Sequence, residues 1–294
     1  MNVTVKQLIN DDVLGAKSSG ADKVDIELSS NDAVNKEAKQ HQTGTLGKAM
    51  AVLDIVAGSP YPPRFTEILN QSDQPRGTLH RQLSNLVEEG LLNQRRDSSY
   101  ELGYKLLKFA SRAWAGNEFR SIAEPHLQRL HGLTGETVHL GVLRDNQVIY
   151  LDKVEGNQAV RMYSQIGNAS PVYCTGVGKA AMSALSEKEL EACLQSINFK
   201  KFTDHTILTR DGLRDAVVAA RISGNAYDLE EHENGIRCVA APVYSEDRKF
   251  VAGISVTGPA YRVTMETLES WARMVRDAAH NIMDDMGARL GPRA

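Results

Sequence analysis

The sequence predicts an α+β chain in two folded domains, a winged helix-turn-helix followed by a larger antiparallel sheet domain. Three observations carry that prediction. The chain has 294 residues, about twice the roughly 100–150 that one domain needs. Apolar residues recur at helical spacing from Leu46 to Val87 and then give way to paired strand-like runs. Beyond residue 137, β-rich runs alternate with helical patterns.

The composition narrows the class. With 34 Lys+Arg against 37 Asp+Glu and 41% hydrophobic residues, the chain is neither disordered nor a globally basic nucleic-acid coat. No run approaches the ~18 consecutive apolar residues of a membrane span, and the start, MNVTVKQLINDD, has no apolar run behind a basic segment to mark a secretory signal. Cys174, Cys193 and Cys238 are odd in number and lack CxxC spacing, which argues against a disulfide framework or a structural zinc. A cytoplasmic protein with no membrane partner is expected.

Residues 1–43 are polar and read as a mobile extension, with a short helix near residues 5–14. In residues 44–105, Leu46, Met50, Leu53 and Val56 define a first helix that stops at Gly58-Ser59-Pro60. Phe65, Ile68 and Leu69 define a short second one over residues 64–71. Pro75 suits the first turn of a third helix carrying Leu79, Leu83, Leu86 and Val87 and ending at Gly90. Residues 91–96 and 99–102 flank Asp97-Ser98 as a hairpin. Three helices and a hairpin of this size form a winged helix-turn-helix, with the third helix directed to the major groove of double-stranded DNA.

No segment is basic overall, so DNA binding requires charge focused on one face. Arg76, Arg81, Arg95 and Arg96 fall within 21 residues of one another, against Glu88 and Glu89. On the third helix Arg76, Thr78, His80 and Arg81 are polar, and Arg95 and Arg96 belong to the wing. An arginine at the helix start can read guanine or clamp a phosphate, and a threonine can donate to a phosphate oxygen. A small helical domain with an ordinary solvated face is the alternative.

Residues 106–121 read as a linker helix, with Leu106, Leu107, Ala110 and Trp114 apolar, and residues 122–294 as the second domain. A helix over residues 122–133, starting near Pro125, precedes strands at residues 137–143 and 147–154 around Arg144-Asp145-Asn146. A strand at 159–163 and a long loop lead to Gly176-Val177-Gly178-Lys179 and a helix at 180–185. Helices at 190–194 and 213–223, strands at 238–244 and 250–256, and a closing helix at 265–290 complete the pattern.

The chemistry favours binding over catalysis. Tyr173 and Ala180 stand where a Walker loop needs Gly and Ser or Thr. What remains is a glycine turn opening a helix, whose N–H groups can receive an anion. No HExxH, GxSxG or paired-carboxylate spacing occurs, and no metal site, cofactor motif or catalytic residue is assigned. The run Asp228-Leu229-Glu230-Glu231-His232-Glu233 has the composition of a solvated loop but leads directly into the apolar strand at Cys238. Ser255 and Thr257, two apart on a strand, present both hydroxyls to one side. Together these groups supply donors and acceptors without an activated nucleophile and base, the composition of a small polar ligand site.

Five blocks occur in order, PRGTLHRQLSNLVEEGLL, YELGYKLLKFA, VYCTGVGKA, DLEEHENGIRCVAAPV and GISVTGP, and from Leu46 to about Met286 the chain resembles the IclR family of bacterial transcriptional regulators. The resemblance implies a GAF-like effector-binding domain behind the winged helix, and a homodimer through the DNA-binding domains that pairs into a homotetramer. It carries the effector pocket onto Gly176, Val177, Asp228, Cys238, Ser255 and Thr257, with Met162 and Ile236 as apolar wall. RMYSQIGNASPVYCTGVGKA is most similar to the branch controlling hexuronate and pectin breakdown, whose effector is 2-keto-3-deoxygluconate. Gly77 stands where many members carry Ser, which removes a hydroxyl from that phosphate contact. The expected function is a ligand-responsive regulator, read as a repressor, of a carbon-catabolism operon, sensing a small carboxylate such as a keto sugar acid. The rival is an enzyme acting on sugar acids whose helix-turn-helix serves only dimerisation.

Overall fold

The computed structural model describes residues 44–157 and 164–290. The helix expected near residues 5–14, the strand expected at 159–163, and Met162 lie outside the described residues. The chain divides after Gly103 into two compact units.

The first unit contains α1 (Gly44–Gly58), α2 (Phe65–Gln71), α3 (Arg76–Glu88), β1 (Leu92–Gln94) and β2 (Tyr100–Leu102). Val52, Ile68, Leu79, Leu83 and Leu92 are fully or almost fully buried and form its centre. Pro75 is the N-cap of α3, with φ −58° and an extended ψ of 143°, and its carbonyl accepts the Leu79 N–H at 3.0 Å. The hairpin turn closes through Arg95 N–H to Ser99 O at 2.8 Å, with Ser98 left-handed at φ 66°. Tyr100 N–H donates to Pro63 O at 2.9 Å, so the chain before α2 lies as a third segment along the hairpin. At Gly103 a Cβ would meet Gly90 O at 2.2 Å, which fixes glycine where the hairpin returns to the end of α3.

The second unit runs α4 (Tyr104–Ala115), α5 (Glu118–Thr134), β3 (Thr137–Arg144), β4 (Gln147–Val154), β5 (Ala169–Pro171), α6 (Gly176–Ser183), α7 (Glu187–Ser196), α8 (Arg210–Ser223), β6 (Ala226–Leu229), β7 (Ile236–Tyr244), β8 (Val251–Pro259) and α9 (Met265–Leu290). The strands form one antiparallel sheet in the order β5-β4-β3-β8-β7-β6. Strand alternation sorts its side chains. Val138, Leu140 and Val142 of β3, Val239, Ala241 and Val243 of β7, and Ala252, Ile254 and Val256 of β8 join one core with α5 and α9. On the opposite face, α6, α7 and α8 close a second core around Val172, Val177, Met182, Leu190, Leu194 and Leu213. Among the described residues, no helix is long and apolar enough to cross a membrane.

Several helices begin earlier than apolar spacing alone indicates, because polar caps set their starts. Asn117 Oδ1 accepts the Arg120 N–H at 2.9 Å, so α5 begins at Glu118 and carries Pro125 within it. Thr175 Oγ1 accepts the Gly178 N–H at 3.2 Å, so the glycine turn expected ahead of a helix at 180 is itself the first turn of α6. The loop expected before the glycine turn contains β5, and the acidic run begins as strand β6. Both strands have few residues and no alternation long enough to read.

Candidate functional site

Register places the candidate ligand residues in two rows on the sheet face opposite α5 and α9. Asp228 pairs with Cys238, and Cys238 with Thr257. Ala240 pairs with Ser255, and Ser255 with His139. Above these rows sits the start of α6. A Cβ on Gly176 would stand 2.4 Å from Cys238 Sγ, so only glycine allows the helix to approach the strand this closely. Between them lies a partly open cavity of about 360 Å³, whose lining includes Gly176, Val177, Asp228, Ile236, Cys238, Ser255 and Thr257; Met162 lies outside the described residues.

Sequence reasoning missed other lining groups, among them His139, Tyr150, Ser164, Ser170, Phe202 and His232. His139 carries a usable signal, as the polar position of an alternating apolar strand. The serines lie on irregular backbone or the three-residue β5, where no periodicity singles them out.

The polar wall is a connected chain. Ser255 Oγ lies 3.4 Å from Thr257 Oγ1, which lies 3.3 Å from His139 Nδ1. His139 Nε2 lies 2.7 Å from Ser164 Oγ. Burial, assisted by the Lys153 ammonium, lowers the His139 pKa to about 3, so the imidazole is neutral at ordinary pH. Burial raises the Cys238 thiol to about 12, with Asp228 adding to it, so this sulfur is a small inert group and not a nucleophile.

Asp228 is held from behind. Its Oδ1 accepts the Glu231 N–H at 2.8 Å, and Glu231 pairs with the buried Lys179 ammonium. Thr206 Oγ1 donates to Glu231 O at 2.7 Å, and Thr203 Oγ1 to Glu230 O at 2.6 Å. Glu230, left-handed at φ 67°, pairs with Arg237 at 2.7 Å. The acidic run is therefore an anchored turn, and not a solvated loop. Burial raises the Asp228 pKa to about 7, against the opposing pull of the Glu231 amide and Lys179. Near neutrality its carboxyl exists in both donor and acceptor forms.

None of the described lining residues is Lys or Arg. Donors for an anion come from hydroxyls and from the α6 start, where the Val177 N–H has no acceptor among the described residues. Chemically, the arrangement offers hydroxyl and backbone N–H donors and the Asp228 carboxyl group, and among the described lining residues no cationic side chain, to whatever fills it.

The first unit presents a different surface. Arg76, His80 and Arg81 are exposed on α3, Thr78 is half-buried, and Arg95 and Arg96 are exposed on the hairpin turn. Arg76 Cζ stands 5.2 Å from the centre of the Phe65 ring, and His80 6.1 Å from it, so α2 supplies an aromatic platform under both side chains. Arg95 Nε lies 3.7 Å from Glu101, an exposed pair that leaves most of its charge outward.

Comparison with known proteins matches residues 45–96 to the IclR helix-turn-helix domain and residues 112–284 to the C-terminal domain of the bacterial transcriptional regulator IclR. The HTH-type transcriptional regulator XynR of Escherichia coli is 32% identical over 79% of this chain and 92% of its own. The HTH-type transcriptional regulator KdgR of the same organism is 31% identical over 76% and 85%. The crystal structure of the Thermotoga maritima IclR superposes with a TM-score of 0.64 at 32% identity, covering 83% of this chain and 98% of its own. The two matched domains span the winged helix and the sheet unit, and the chain belongs to the IclR family of bacterial transcriptional regulators.

Proposed function

We propose that this regulator represses a carbon-catabolism operon and releases its operator when a small carboxylate, such as a keto sugar acid, fills the cavity at the start of α6. The observation that carries this reading is the convergence on one cavity of Gly176, Val177, Asp228, Ile236, Cys238, Ser255 and Thr257. A carboxylate fits the free Val177 N–H at the positive end of α6, and ligand hydroxyls fit Asp228, His139 and the serine and threonine hydroxyls. KdgR and XynR differ by one percentage point in identity to this chain, so the choice of a keto sugar acid rests on cavity chemistry and on the resemblance of the segment before α6.

In this reading Arg76, Thr78, His80 and Arg81 dock α3 in the major groove and Arg95 and Arg96 hold phosphates. The signal passes through α4. Trp114 Nε1 donates to Leu151 O at 2.8 Å, one residue from the cavity-lining Tyr150, so a ligand that moves β4 moves the helix that follows Gly103. Exposed Leu46 and Met50 on α1 support association of copies through the first unit, as a homodimer or homotetramer. The test is a thermal-shift screen with keto and sugar acids, then DNA binding with and without each hit. A hit that raises the melting temperature and releases DNA is expected. Turnover of the acid without any DNA footprint would reject the reading.

A further inference from the structure

A second cavity, also about 360 Å³, opens at the other end of α6. It arises because β6 is short. Pairing with β7 ends at Ala226 opposite Ala240, and beyond that point β7 has a neighbour only on its β8 side. Pro242 lies in this open edge and has no N–H to offer another strand. Ala220, Ala241 and Ala279 line the cavity with small side chains that leave room.

Three arginines from three different elements converge there: Arg221 at the end of α8, Arg248 in the turn between β7 and β8, and Arg276 of α9. Backbone carbonyls at helix ends fix each one. Arg221 Nε donates to Ser183 O at 3.0 Å and its Nη2 to Leu185 O at 2.9 Å, while Arg248 Nη1 donates to Ala184 O at 2.7 Å. Arg276 Nη1 donates to Ser223 O at 3.4 Å and also reaches Asn225.

Capping the helix ends does not exhaust these groups. Nε and Nη2 of both Arg248 and Arg276 have no acceptor among the described residues. The described lining includes no Asp or Glu but adds His280. Among the described residues the three guanidiniums make one ion pair, Arg221 to Glu187 at 3.5 Å on the rim. Positive charge therefore exceeds its local compensation. Guanidinium forks match the paired oxygens of phosphate and carboxylate groups, and a single carboxylate would leave most of this charge unanswered.

We propose that this cleft is a second small-molecule site that takes a compact polyanion, a metabolite bearing two or more phosphate or carboxylate groups. It is independent of the cavity at the α6 start, although one eight-residue helix, about 12 Å long, joins the two.

The test is isothermal titration of the full chain without DNA, at constant ionic strength, with pyrophosphate in one arm and citrate in the other. Saturable binding of one ion per chain is expected in at least one arm, and the arm that binds identifies phosphoryl or carboxylate groups as the preferred chemistry. Arg248→Gln should weaken it at least tenfold, and Thr257→Val in the other cavity should leave it unchanged. Arg276→Gln should act like Arg248→Gln. If losing the brace on Asn225 unfolds that variant, Arg248→Gln decides, since among the described residues the Arg248 guanidinium makes one hydrogen bond, to Ala184 O, and one ring contact, with Tyr244. The proposal is overturned by heats no different from chloride in both arms, by undiminished binding in folded Arg248→Gln, or by loss of binding in Thr257→Val alone.

Discussion

Gly176 rests on Cys238 so closely that a Cβ at position 176 would stand 2.4 Å from Sγ, while its next contacts, at 3.5 Å, are ordinary. The two residues are thus one packing unit that sets how near α6 comes to β7. Gly176→Ala should destabilise the protein by ~1–3 kcal/mol through overpacking. Adding Cys238→Ala removes the obstructing sulfur and should recover most of that loss. Urea unfolding of both single variants and the double variant gives the coupling, and strictly additive effects would contradict the relationship.

Asp228 makes stability depend on pH in a definite direction. Its folded pKa of about 7 exceeds the ordinary 3.8, so between these values the folded state binds more protons than the unfolded one. Stability attributable to this residue therefore falls as pH rises through that window; the penalty is absent below it and complete above it. Asp228→Asn carries no such titration, so its stability relative to the native chain should rise from pH 4 to pH 7, by at most ~4 kcal/mol. Unfolding midpoints measured for both proteins across this range check it; a constant difference would remove the assigned burial effect.

Arg76 and Phe65 should act together on DNA. Arg76→Ala is expected to weaken operator binding by ~1–3 kcal/mol if the guanidinium reads a base. Phe65→Leu keeps an apolar side chain but removes the ring 5.2 Å from that guanidinium, and should cost part of the same energy. Titrations at fixed salt measure both, and unchanged affinity in Arg76→Ala would reject the groove contact.

How much of this was legible in the sequence depended on the length of each pattern. α1, α3, β3, β7, β8 and α9 carry apolar periodicity over enough residues to identify their type. The cavity was legible in part because Ser255 and Thr257 share a strand face and because Gly176 opens a helix. Asp228 was found as a pocket residue, but its strand was not, since four residues beside three acids resemble a loop. Lys179 and Glu231 pair across 52 positions, and His139 meets Thr257 across 118; no local spacing encodes such contacts. The cleft at the end of α6 was invisible for the same reason, its arginines being scattered from 221 to 276.

Trp114 offers a direct probe of α4. Its Nε1 donates to Leu151 O at 2.8 Å and Arg120 lies 4.1 Å from the ring centre. Trp114→Phe keeps a ring for the arginine and loses the hydrogen bond, which should cost ~1 kcal/mol of stability. If α4 transmits occupancy of the cavity, the same variant should need more ligand to release DNA. An unaltered release curve with lowered stability would leave Trp114 a purely structural residue.

The alternation along β8 has a further consequence. Ile254 and Val256 belong to the core, and Ser255 and Thr257 to the cavity, so both functions are written in odd and even positions of one strand. Inserting a single residue before Ile254 would turn isoleucine and valine toward the cavity and the hydroxyls toward the core. Substitutions can change the cavity wall one side chain at a time, whereas a one-codon insertion in β8 would disrupt the cavity wall and the core together. Variation in ligand preference among such chains should accordingly arise by replacement within the strands, with length changes confined to the turns.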